Sequence, residues 1–119
     1  MPRTRVALIV DDEPGVRSVL EGLLIAQGYQ PLSAASGEEA LRLLEGVVPS
    51  VVLTDVDMPG TMDGIRLAHF IRGRWPPIKL VVISGKIAVS ASELPDGTRF
   101  FSKPYQDHKL HEAIAELLL

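Results

Sequence analysis

Along the chain, short unbroken apolar runs alternate with segments in which apolar residues return every three or four positions. Val6-Ala7-Leu8-Ile9-Val10, Val51-Val52-Leu53 and Leu80-Val81-Val82-Ile83 are continuous rather than alternating, the pattern of parallel strands covered on both faces. Between the first two runs, Val16, Val19, Leu20, Leu23 and Leu24 fall on one predicted helix face, and Gly28 stands where such a helix stops. Ser36 and Glu39 have the spacing of a capping box, opening a second helix with the stripe Ala40, Leu43, Leu44 and Val47, closed by Pro49. A third helix is predicted to start after Asp63-Gly64 and run to about Gly73, burying Leu67, Ala68 and Ile71, and a last one carries Leu110, Ala113, Ile114, Leu117 and Leu118. Two weaker strands, Gln30 to Ala34 and Arg99 to Ser102, complete the count. Pro31, in the first of these, has no N–H to give a ladder and suits only an edge strand.

Strand and helix thus alternate five times. The irregular unit lies between Ser84 and Thr98, where Ser90, Ser92, Pro95, Asp96 and Gly97 break helical periodicity, so the fourth helix is expected to be short or irregular. Such alternation predicts an α/β fold: a doubly wound, five-stranded parallel sheet with helices on both faces and right-handed crossovers. The order 2-1-3-4-5 places the Pro31 strand at an edge, and in open sheets of this kind the active site lies at the carboxyl ends of the strands.

Composition narrows the picture. A chain of 119 residues with 46% hydrophobic content supports one core and one domain, residues 1–119. The absence of cysteine excludes disulfides and thiolate metal sites and fits a reducing, cytoplasmic setting. The formal charge of −3 argues against direct nucleic-acid binding. No apolar run approaches the roughly 20 residues of a membrane span. Arg3 and Arg5 precede only the five-residue run Val6 to Val10, so no secretory leader is expected.

The residues that follow the strands carry the chemistry. Strand one is followed by Asp11-Asp12-Glu13; strand three ends in Asp55, strand four in Ser84-Gly85 and strand five before Lys103-Pro104. In a parallel sheet these ends point the same way, so three carboxylates, a hydroxyl and one ammonium converge. One lysine cannot offset three carboxylates held close together, whereas a divalent cation can. Hard oxygen donors with no cysteine or nearby histidine select Mg²⁺ or Mn²⁺. One carboxylate can then act as a nucleophile toward phosphorus, with Lys103 drawing charge from the phosphoryl oxygens and Ser84 donating to them. Each residue also has a plainer reading. Asp11 and Asp12 could cap the first helix; Asp55 and Ser84-Gly85 could be turn residues; Asp57 and Lys103 could be solvated surface. Lys86 could pair with Asp57 above the site or simply be solvated. His69, His108 and His111 lie away from the strand ends, as surface residues, and Phe70 should face outward.

Taken together, Asp11-Asp12-Glu13, Asp55-Val56-Asp57-Met58-Pro59-Gly60 with Asp63-Gly64, Ser84-Gly85 and Lys103-Pro104-Tyr105 make the chain resemble, over essentially its full length, the receiver domain of two-component response regulators of the CheY-like superfamily, in its stand-alone single-domain form. The 2-1-3-4-5 order is itself a known property of receiver proteins and is taken over from them rather than deduced. The resemblance implies that Asp55 is the phosphoacceptor, supplied by a histidine kinase or a histidine phosphotransfer protein. It implies that Asp12 binds Mg²⁺ directly, Asp11 largely through water, and Asp57 through its backbone carbonyl, with Asp55 itself a ligand. Lys103 would pair with the phosphoryl group before a cis Lys103–Pro104 bond, Ser84 would follow the phosphate, and Phe100 would occupy the position of an aromatic switch. Such a domain catalyses only its own phosphorylation and dephosphorylation and acts through an unspecified downstream protein; it could equally be part of a longer protein such as a hybrid kinase.

Two departures stand out. Thr61 makes the Met58–Asp63 loop one residue longer than the common Met-Pro-Gly-x-Asp-Gly form, and only 18 residues separate Ser84 from Lys103. Phe100 lacks a hydroxyl, so any switching there depends on packing. Three rival readings exist: a non-phosphorylated pseudo-receiver, a haloacid-dehalogenase-like phosphohydrolase suggested by Asp55-Val56-Asp57, and a flavodoxin-like flavin binder. The second is disfavoured because the acidic pair precedes the motif, the third because Asp11-Asp12-Glu13 would repel a flavin phosphate.

Overall fold

The computed structural model describes residues 5–85, 89–104 and 106–117. Five strands, β1 (Arg5–Val10), β2 (Tyr29–Ala34), β3 (Val51–Asp55), β4 (Lys79–Ser84) and β5 (Arg99–Ser102), form one sheet in the order β2-β1-β3-β4-β5. Every neighbouring pair is parallel. Four helices connect or follow them: α1 (Pro14–Ala26), α2 (Gly37–Leu44), α3 (Gly64–Arg74) and α4 (Asp107–Leu117). The edge position of β2 leaves Pro31 without a ladder bond to donate, as its ring requires.

Side-chain alternation along the strands divides the core in two. Leu8, Val10, Val52, Leu80 and Val82 face α2 and α3, packing on Ala40, Leu44, Leu67, Ala68 and Ile71. Ala7, Ile9, Val51, Leu53, Val81 and Ile83 face the other way, onto Leu20 and Leu24 of α1 and Leu110 and Ile114 of α4. Both faces of the sheet are therefore covered, which is why its strands read as unbroken apolar runs.

Two stripe residues depart from the sequence expectation. Val19 is 57% exposed: at about 100° per residue it lies roughly a quarter-turn from Leu20, off the flank that reaches the sheet. Val47 is also exposed, because α2 ends at Leu44 and Val47 lies beyond it. The β4–β5 connection, among its described residues, contains only a single 3₁₀ turn, Ala91–Glu93. This turn is fastened to the fold by buried Leu94 and by His69, whose Nε2 lies 2.7 Å from the Glu93 carbonyl oxygen. Lys86, Tyr105 and Leu118, singled out above, lie outside the described residues.

Candidate functional site

Asp55 is the last residue of β3, central in the sheet, and its side chain continues the face of Val51 and Leu53. Its position is set by the start of α3. Gly64 donates its N–H to the Val56 carbonyl at 3.0 Å, and a side chain at residue 64 would collide with the Asp55 carbonyl and the Val56 Cα. Val56 in turn donates to Ile83 of β4 at 3.2 Å. Only glycine lets the helix begin this close to the strand end. Asp63 then caps α3, accepting from the Arg66 N–H at 2.8 Å.

Beside Asp55, Asp11 follows β1. Its N–H is bonded to the Ala34 carbonyl at 3.1 Å. Its Oδ1 accepts the Glu13 N–H at 2.9 Å, and its own carbonyl accepts from Arg17 Nη1 at 2.7 Å. Asp11 is thus buried and locked at the start of α1, while Asp12 is exposed. Carboxylate oxygens of Asp11, Asp12 and Asp55 lie within 4.8 Å of one another. Lys103, just past β5, brings Nζ to 3.6 Å from Asp11 and 3.8 Å from Asp55. Its N–H is held by the Ser84 carbonyl at 2.8 Å, and the Lys103–Pro104 peptide bond is cis. A cleft of about 350 Å³ opens above this group, lined by Asp12, Glu13, Val16, Asp55, Asp57, Gly85 and Lys103.

Burial pushes the Asp55 carboxyl above the ordinary carboxylate range; Lys103 and the N–H groups of Val56 and Asp57 oppose the shift, while the Asp11 charge adds to it. The site thus stores an excess of negative charge that one ammonium does not neutralise. Three hard oxygen donors within a few ångströms of one another, with no sulfur and no imidazole among them, fit a small divalent cation such as Mg²⁺.

The structure brings Asp11, Asp12, Asp55 and Lys103 together at the strand ends, and Asp57, which only the resemblance singled out, lines the same cleft. Ser84 is buried at the end of β4, and Gly85 rather than Ser84 lines the cleft. Two residues beyond Val82, Ser84 shares its face of the sheet with Phe100, whose register partner is Val82. Phe100 is half-buried against the α2–α3 side of the core and lines a separate cleft with Val89, Leu94 and Thr98. His69, His108 and His111 are exposed and away from the site. Sequence reasoning missed Arg17, whose spacing from Glu13 puts it one helical turn along α1, and the contact role of Gly64. Neither contact carries a motif of its own: Arg17 reaches back six residues to the Asp11 carbonyl, and Gly64 meets the backbone of Asp55 and Val56.

Residues 7–115 match the family model of the response regulator receiver domain, and the chain belongs to that family. An NtrX-like response regulator of Rickettsia bellii is 32% identical over 108 residues, covering 87% of this chain and 22% of that protein; the chain thus spans about a fifth of the length of such relatives. Sporulation initiation phosphotransferase F of Bacillus subtilis is 30% identical over 114 residues, covering 93% of this chain and 91% of that protein. Among solved structures, a response regulator receiver protein from Sinorhizobium medicae superposes with a TM-score of 0.91 at 28% identity, covering 98% of this chain and 95% of that one. The match favours the receiver reading over the phosphohydrolase and flavin-binding readings. Receiver domains are signalling domains. Among the described residues, no helix is long and apolar enough to cross a membrane.

Proposed function

We propose that this chain accepts a phosphoryl group on the Asp55 carboxylate from the phosphohistidine of a histidine kinase or phosphotransfer protein, and that the phosphorylated state changes its binding to a downstream protein. The observation that carries the proposal is the buried Asp55 at the floor of an open cleft, with Lys103 Nζ 3.8 Å away and the Asp11 and Asp12 carboxylates alongside. An Asp55 carboxylate oxygen attacks phosphorus as the bond to the donor imidazole nitrogen breaks, and the electron pair of that bond returns to the imidazole. Lys103 pairs with the phosphoryl oxygens as charge develops on them. Asp11, Asp12, Asp55 and the Asp57 carbonyl would hold Mg²⁺ or Mn²⁺, which when bound neutralises charge on the acids and on the phosphoryl oxygens.

Ser84 and Phe100, on one face of adjacent strands, would carry the change outward: closure of the hydroxyl toward the phosphate lets the ring repack in the neighbouring cleft, a population shift between two arrangements. The domain acts on itself alone, in the cytoplasm, rather than turning over a free substrate. The match to a protein named as a phosphotransferase supports a relay role.

Intact mass after incubation with acetyl phosphate and Mg²⁺ tests the reading. One added phosphoryl group that needs the metal and is lost in Asp55→Ala is the expected result. A well-folded chain that gains no mass with the metal present would overturn it in favour of a pseudo-receiver that binds its partner without phosphorylation.

A further inference from the structure

The loop from Val56 to Asp63 carries Asp57, and its two ends are tied together by the Gly64–Val56 hydrogen bond. Its apex, one residue longer than the common form because of Thr61, does not stand free. It leans on the first turn of α2, an element more than 20 residues earlier in the chain. A side chain at Gly37 would collide with the Met62 side chain and reach within 2.8 Å of the Met62 carbonyl oxygen, so the bare glycine surface is where Met62 sits. One residue on, the Glu38 carboxylate faces Gly60, where an added Cβ would lie 3.0 Å from Oε1, and it accepts a long hydrogen bond from Thr61 Oγ1 at 3.5 Å. Gly60 has φ +94°, so glycine is what lets the chain turn here and approach Glu38. From the other side Arg66 of α3 donates to the Thr61 carbonyl at 3.3 Å. Met58 and Met62 both pack on the α2–α3 side of the core.

The start of α2 is itself firm. Ser36 Oγ accepts the Glu39 N–H at 3.1 Å, and Glu39 Oε2 accepts the Ala35 N–H at 3.1 Å. Gly37 and Ala40 are buried. A capped helix end therefore supports the apex of a loop whose other ties are the bond at its base, the Arg66 contact and the packing of its methionines.

We propose that the first turn of α2 is a positioning element for the metal-binding loop: Gly37 seats Met62 and Glu38 holds Gly60 and Thr61, so that the Asp57 backbone is ordered before a cation arrives. The inference rests on the reading in which the Asp57 carbonyl is a ligand for Mg²⁺. Gly37, Glu38 and Met62 do not line the cleft above the acids; they act through the loop. Ordering the loop in advance removes part of the entropic cost of binding, so loosening it weakens affinity without removing a ligand.

The test is the affinity for Mg²⁺ alone, by titration calorimetry, in wild type, Gly37→Ala, Met62→Ser and Met62→Leu, with metal-free hydrogen exchange across residues 57–63. Gly37→Ala and Met62→Ser are expected to weaken Mg²⁺ binding about three- to tenfold, below the roughly 10–100-fold seen for groups bonded directly to ligands. Both should speed exchange in the loop, and Met62→Leu, which keeps the volume, should restore both readouts. Ile114→Ala, on the far face of the sheet, costs stability but should leave the affinity as it is. Should Gly37→Ala not fold, Met62→Ser against Met62→Leu decides alone. Wild-type affinity in Met62→Ser, or equal weakening in Ile114→Ala, would overturn the inference while leaving the phosphoacceptor reading in place. A wild-type chain that binds no Mg²⁺ would overturn both.

Discussion

Asp55 is the residue on which the charge balance of the site turns. Burial raises its pKa, with Asp11 adding to the shift and Lys103 only partly opposing it. A raised carboxyl stabilises the fold in its protonated form. That contribution is fully present below the ordinary carboxylate value and is lost as pH rises through the raised value of the folded chain. At neutral pH and without metal the ionised carboxylate is therefore a cost. Asp55→Asn should then stabilise the chain by roughly 0.5–2 kcal/mol, the usual range for a favourable single substitution. The gain should vanish as pH falls through the folded-state value. Urea unfolding at several pH values, without divalent ions, reads this directly. Adding Mg²⁺ should raise wild-type stability by linkage and close much of the gap; a gap unchanged by pH would show that the charge of Asp55 is not its cause.

At the scale of the element, strands and helices matter here through their ends. Asp55 and Ser84 close their strands, and Asp11, Asp12, Asp57 and Lys103 lie just beyond one, where backbone groups lack ladder or helical partners and side chains can supply them. Ser36 does this for α2 and Asp63 for α3. Ser36→Ala should cost about 0.5–2 kcal/mol, as loss of an N-cap does. Gly64→Ala should cost about 1–3 kcal/mol or more, because its Cβ would meet backbone that cannot move aside. Both are measured by chemical denaturation, and Gly64→Ala should also lower the rate of phosphorylation, since it displaces Asp55 itself. The β4–β5 connection shows the opposite economy. Its described part keeps one 3₁₀ turn, with Leu94 buried and His69 holding the Glu93 carbonyl, so the face formed with β5 differs from one built on a full helix.

Over the whole molecule, a single sheet separates two apolar layers that, among the described residues, share no side chains. Leu67→Ala, in the α2–α3 layer, and Ile114→Ala, in the α1–α4 layer, should each cost about 2–5 kcal/mol. Because the two lie on opposite faces without common partners, the double variant should equal the sum to within about 0.5 kcal/mol in equilibrium unfolding. A larger discrepancy would mean that the layers communicate through the sheet. What the chain's own order of residues determined is the kind and succession of elements and the acids at the strand ends. Those signals are local: unbroken apolar runs, helical stripes, the Ser36–Glu39 spacing and Pro31 at an edge strand are each complete within a few residues. Tertiary structure alone decided that Val19 faces away from the sheet, that Arg17 and Glu13 brace Asp11, and that Gly64 abuts Asp55. It also decided that Gly37 receives Met62. These depend on how closely two elements approach, and a glycine or an apolar side chain reads the same in sequence whether or not a distant segment comes to rest against it.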